Sequence, residues 1–255
     1  MKTGTKDNIL AYISKNASIS AKEIIQSSGI KAAAVFRHLK NLQAGGLIYK
    51  VGKPPQVRYY AYINAMENKS KIIIEATNWA VSGAENFVSK DFLCETRDVY
   101  QARADRVAKT VNPVLKNENL ALLLSAMVGE IGNNSFDHNI GQWKDQMGIF
   151  FRVDSNERVI ILADRGQGVL QTLRKARPQI ADDVEALTVA FNERISGRAP
   201  EQRGNGLKFV KKVIVENNFQ MEYYSGEAYA TINSAGMKVA QSKIVIPGTL
   251  CIIYF

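Results

Sequence analysis

Apolar residues fall at helical spacing three times within the first 45 positions. Ile9, Leu10 and Ile13 form one short face, Ile24 and Ile25 a second, and Val35, Leu39 and Leu42 a third. Ser20-Ala-Lys-Glu23 reads as a capping box that opens the second helix, and Gly29 ends it. The third helix is predicted from about Ile30 to Ala44, where Gly45-Gly46 stops it. Two strand-like runs follow, residues 47–51 and 57–62, with Gly52-Lys-Pro-Pro-Gln56 as the turn between them. Beyond a polar stretch at 67–71, the apolar run 72–81 predicts another helix. Residues 87–100 and 103–114 read as helices or short connectors. A long helix with a polar end is predicted over 120–138, a buried strand over Val159–Ala163, an amphipathic helix over 208–214 and a closing strand over 248–255.

Charge divides this pattern unevenly. Residues 1–66 hold ten basic residues against two acids, Asp7 and Glu23, for a net charge of +8. The other 189 residues hold 23 basic and 22 acidic ones. A basic module joined to a neutral one attracts polyanions through its first quarter. The whole chain, 255 residues with 46% hydrophobic and 22% charged, excludes collagenous, low-complexity or wholly disordered classes. No apolar run approaches the ~20 residues of a membrane span, and the N-terminus has no signal-like segment, so no membrane partner is expected. Cys94 and Cys251 lie in no metal or redox motif; a reduced, cytoplasmic setting is expected.

Three short helices followed by a basic-tipped hairpin resemble a winged helix-turn-helix domain. Arg37-His-Leu-Lys-Asn-Leu-Gln-Ala-Gly-Gly-Leu-Ile48 is similar to the recognition helix and wing entry of bacterial repressors. The resemblance implies double-stranded DNA as partner. Lys31, Arg37, His38 and Lys40 would face the major groove, and Lys53 and Arg58 would lie on the wing. Such domains also serve as protein-docking or dimerisation modules.

Three polar motifs follow in the remaining chain. Glu130, Asn134 and His138 sit four apart, on one helical face. Asp164-Arg-Gly-Gln-Gly168 comes directly after a predicted strand, where glycines allow close approach of backbone to a ligand. Arg203-Gly-Asn-Gly-Leu207 runs into a predicted helix, whose first amides form an anion site. Neither glycine motif is a Walker A loop or a dinucleotide fingerprint. Singly, each is weak: a solvated stripe, a turn, a helix start.

Taken in order, E-x-x-x-N-x-x-x-H, D-x-G-x-G and G-x-G-L resemble the N, G1 and G2 boxes of the GHKL superfamily of ATPases and kinases over about residues 115–255. The resemblance implies an α/β sandwich, a mixed sheet covered on one face by helices, and ATP with Mg²⁺ as cofactors. By resemblance Glu130 is the general base, Asn134 the Mg²⁺ ligand, and Asp164 the acceptor for the adenine amino group with Thr249 in support. Gly166 and Gly168 open a nucleotide lid over 169–203. Arg203, Gly204, Asn205, Gly206 and Leu207 bind the phosphates, and His138 lies near them or completes the helix. Arg194, Arg198 and Arg203 of the lid are further candidates for phosphate oxygens.

The expected fold class is α+β: a winged helix-turn-helix over 1–66, a helical connector over 67–114 and a GHKL-type ATP-binding domain over 115–255. A sensor histidine kinase is disfavoured, since the only histidines are His38 and His138. The expected function is a transcriptional regulator that binds DNA and is controlled by ATP, with hydrolysis left open. The alternative is a serine/threonine protein kinase of the anti-sigma type, docking a regulatory protein through the winged helix. A homodimer is left open in either case.

Overall fold

A computed structural model describes residues 5–16, 19–44, 48–51, 54–61, 69–82, 89–194 and 205–255. The chain divides into two compact units, residues 1–74 and 75–255. Gly52 and Lys53 of the expected wing turn, residues 62–68, and Arg198, Arg203 and Gly204 lie outside the described residues.

In the first unit, α1 (Thr5–Lys15), α2 (Ala21–Ser28) and α3 (Ala32–Ala44) surround one apolar cluster. Its members are Ile9, Ile13, Ile24, Val35, Leu39 and Leu42, the residues the periodicity selected, joined by Ile19, Ile48 and Tyr59. The capping box is formed: Glu23 N donates to Ser20 Oγ at 3.3 Å, and Ser20 N donates to Glu23 Oε2 at 2.7 Å. Gly29 ends α2 in the left-handed region at φ 67°. Strands β2 (Ile48–Val51) and β3 (Arg58–Ala61) form the hairpin, and β1 (Ile19–Ser20) adds to the far side of β3. Too short to show a period, β1 was not predicted.

In the second unit, α4 (Lys71–Ser82, of which 75–82 belong here) precedes a 3₁₀ turn at Lys90–Phe92 and β4 (Leu93–Cys94). Then come α5 (Arg97–Ala104), α6 (Val107–Leu115) and α7 (Glu118–Asn139). Strands β5 (Ile149–Asp154) and β6 (Val159–Asp164) follow, then α8 (Gly168–Arg174), α9 (Asp183–Asn192) and α10 (Gly206–Glu216). A long hairpin closes the chain, β7 (Gln220–Asn233) with β8 (Gly236–Tyr254). Within 87–100, expected as helices or short connectors, residues 93–94 form a strand paired with Phe150 and Ile149 of β5.

The sheet order is β4-β5-β6-β8-β7. Every pairing is antiparallel, where the resemblance implied a mixed sheet. Tight links explain much of this: β5 turns into β6, and β7 into β8, within four residues or fewer. Helices also cover both faces rather than one. Ile149 and Phe151 of β5 point into the core built with α5, α6, α7, α9 and α10. Phe150 and Arg152 point the other way. There Trp79 of α4 packs on Phe150 with ring centroids 6.0 Å apart, and Glu75 pairs with Arg152 at 3.2 Å. The apolar run of β6 is buried along its whole length, a pattern that requires cover on both faces.

Within 169–203, expected as a nucleotide lid, the described residues 169–194 are in large part packed helix. Helices α8 and α9 share a small core of Leu173, Ile180, Ala186 and Val189. The apolar spacing of 184–191 contained this helix, but the motif reading passed over it.

Candidate functional site

Asp164 ends β6 and is nearly inaccessible, at 1% relative exposure. A buried carboxylate needs partners, and four donors supply them. Ser135 Oγ and Thr249 Oγ1 donate to Oδ2 at 2.8 and 2.5 Å. Asn139 Nδ2 and the Gly166 amide donate to Oδ1 at 3.2 and 2.9 Å. Thr249 is there because β8 pairs with β6 in the register that sets it opposite Asp164.

The end of α7 carries two polar pairs at i, i+4 spacing. Ser135 and Asn139 hold Asp164, whereas Glu130 and Asn134 address the start of α10. A Cβ added to Gly206 would stand 2.5 Å from Glu130 Oε2 and 3.4 Å from Asn134 Nδ2. Glycine at 206 thus lets the backbone of α10 approach both side chains. Phe209 N closes the first helical bond, to Asn205 O at 2.9 Å. The amides of Gly206, Leu207 and Lys208 precede that bond and lack an intrahelical acceptor. Half-buried His138 follows Asn134 by one turn, and its carbonyl accepts from Gln167 Nε2 at 2.6 Å.

Asn139 also orders the glycine turn: its Oδ1 accepts from the Gln167 amide at 3.0 Å. A side chain at Gly166 would overlap the Asn139 amide group. Gly168 opens α8, and Ser225 Oγ accepts from the next amide, Val169 N, at 2.9 Å while donating to Gly248 O. Ser135, Asn139 and Ser225 were missed by sequence reasoning. For Ser135 and Asn139 a signal existed, since each follows a motif residue by one position on the same helix.

Arg165, between Asp164 and Gly166, turns away from this cluster. Its guanidinium donates to the carbonyls of Trp79 and Ala80 at 3.1 and 2.7 Å and to Asp145 Oδ1 at 2.7 Å. It thereby caps the C-terminal end of α4. The hydrogen bonds from Arg165 hold the Asp145 carboxyl below the usual carboxylate range.

In the first unit, Lys31, Arg37 and Lys40 are exposed, and His38 is half-buried. Lys31 precedes α3, and its carbonyl takes the first amides of that helix, Ala34 N and Val35 N. Arg58 on β3 is exposed but engaged: Nη1 donates to Glu23 Oε2 at 2.7 Å. An exposed pair of this kind is worth roughly 0–1 kcal/mol and yields easily to a stronger anion.

Residues 5–49 match the winged helix-turn-helix DNA-binding family. The first unit thus carries a winged helix-turn-helix DNA-binding domain, the module of DNA-binding transcriptional regulators. No curated protein matches the chain. Among solved structures, one similar chain is from a Silicibacter species and is assigned to the ICLR transcriptional regulators. The identity is 9%, over 98% of this chain and 84% of that one, with a TM-score of 0.21, too low to carry an argument. No described helix is long and apolar enough to cross a membrane.

Proposed function

We propose that the chain is a cytoplasmic transcriptional regulator that binds double-stranded DNA through its winged helix and is controlled by ATP in a GHKL-type domain over residues 115–255. One observation carries the nucleotide half of this reading. Three motifs separated by up to 76 positions in sequence converge on the end of α7, with Asp164 at Ser135 and Asn139 and Gly206 at Glu130 and Asn134.

The residues present fit the nucleotide. Asp164 is an acceptor held in place by Ser135 and Thr249, whose hydroxyls can turn to share it with an adenine amino group. The amides that open α10 suit phosphate oxygens. Mg²⁺ takes oxygen ligands and keeps several from water and phosphate, so Asn134 beside the start of α10 suffices as the protein's contribution. Among the described residues no group of three or more His, Cys, Asp or Glu forms a metal cage by itself. Exposed Glu130 beside Gly206 is the base that a hydrolytic or phosphate-transfer step would use.

The test is calorimetric titration of Mg-ATP into wild type and Asp164→Asn, followed by DNA binding with and without nucleotide. Binding that the variant loses, together with a nucleotide-dependent change in DNA affinity, supports the reading. Phosphate transfer from ATP to a partner protein, with DNA affinity indifferent to ATP, favours the anti-sigma-type kinase instead.

A further inference from the structure

The solvent side of α3 is not uniformly polar. Val35, Leu39 and Leu42 are buried. The other side carries Ala33, Phe36, Arg37 and Lys40, at i, i+3, i+4 and i+7, and all four are exposed. Phe36, a large apolar side chain, is 51% exposed.

Its surroundings say what covers it. Arg37 and Lys40 flank it on the same helix, and residues 1–66 hold only two acids, Asp7 and Glu23. Such a surface repels a second copy of itself and attracts a polyanion. The major groove of DNA exposes one apolar group, the C5-methyl of thymine.

We infer that Phe36 reads sequence by packing on a thymine methyl, with Ala33, one turn earlier, short enough for α3 to come close to the base edges. Arg37, adjacent to Phe36, meets the neighbouring guanine edge or phosphate. The inference rests on the DNA-binding assignment of residues 5–49 and adds a residue that charge-based reasoning omits.

The test uses the full chain to select sites from a randomised duplex library, then measures binding to the selected duplex with each thymine replaced in turn by deoxyuracil. Loss of one methyl contact is expected to weaken wild-type binding about fourfold at one or two positions. Phe36→Ala should bind thymine and deoxyuracil duplexes alike, and Phe36→Leu should keep part of the difference. Because Phe36 lies outside the core, both variants should melt as wild type does. The inference is overturned if Phe36→Ala shows the wild-type deoxyuracil penalty, or if its only change is a lower mass by light scattering, which would make Phe36 a protein contact. If wild type selects no duplex at all, the DNA-binding assignment falls and this inference falls with it.

Discussion

Asn139 and Asp164 meet where the end of α7 reaches the end of β6: Asn139 Nδ2 donates to Asp164 Oδ1 at 3.2 Å, and Asn139 Oδ1 accepts from the Gln167 amide. One buried amide thus fixes both the carboxylate and the turn that follows it. Asn139→Ala leaves an acceptor and a donor short of a partner in the interior, at about 1–3 kcal/mol. The urea midpoint should fall accordingly, and Mg-ATP should bind more weakly to the folded variant. An unchanged midpoint would show that Asn139 positions nothing.

Trp79 is buried against Phe150 on the sheet face that α4 covers. Trp79→Ala removes a large side chain from a site with no replacement and is expected to cost about 3–5 kcal/mol. Thermal unfolding followed by calorimetry reads the loss. A cost below about 1 kcal/mol, within the range of surface substitutions, would mean that α4 does not cover that face.

Asp145 gives a pH dependence of known sign. Its carboxyl pKa is lowered in the folded chain, first by the hydrogen bonds from Arg165. A lowered pKa stabilises the fold above the unfolded value of about 3.9, and the contribution vanishes as pH falls through the folded value. Wild type should therefore exceed Asp145→Asn in stability near neutrality, and the gap should close in acid. Asp145 is half-exposed, so solvent screening keeps the gap small. A gap that widens in acid would contradict the pairing.

Burial pushes the thiols of Cys94 and Cys251 up, and both side chains are inaccessible. Neither is expected to react with a thiol reagent in the native chain at neutral pH, and both should react after denaturation. Rapid labelling of either one in the native state would contradict the core as described.

The N-terminal domain was almost wholly legible in the sequence, because its elements are short, local and punctuated. Ser20 with Glu23, Gly29 and the Val35–Leu39–Leu42 spacing each act within one or two helical turns. The second unit was legible where a motif or a continuous apolar run marked it, as at 120–138, 159–163 and 248–255. It was obscure where partners are distant. The two-residue strand β4 exists only through its pairing with β5, and the Ser135 and Asn139 contacts to Asp164 depend on how α7 crosses the sheet, whereas Thr249 beside Asp164 was expected from the resemblance. The second covered face was implicit in the unbroken apolar run of β6 and the helix over 72–81 was predicted, but nothing local in sequence tied the one to the other.

The central claim is that the cluster at the end of α7 takes a nucleotide. The most direct measurement is calorimetric titration of Mg-ATP into wild type, Asp164→Asn and Gly206→Ala. The claim predicts saturable binding to wild type, loss in Asp164→Asn, which puts an NH₂ donor in place of one of the two acceptor oxygens, and marked weakening in Gly206→Ala, whose methyl would crowd Glu130 and Asn134. Absence of binding to folded wild type, or equal binding by all three proteins, would contradict it.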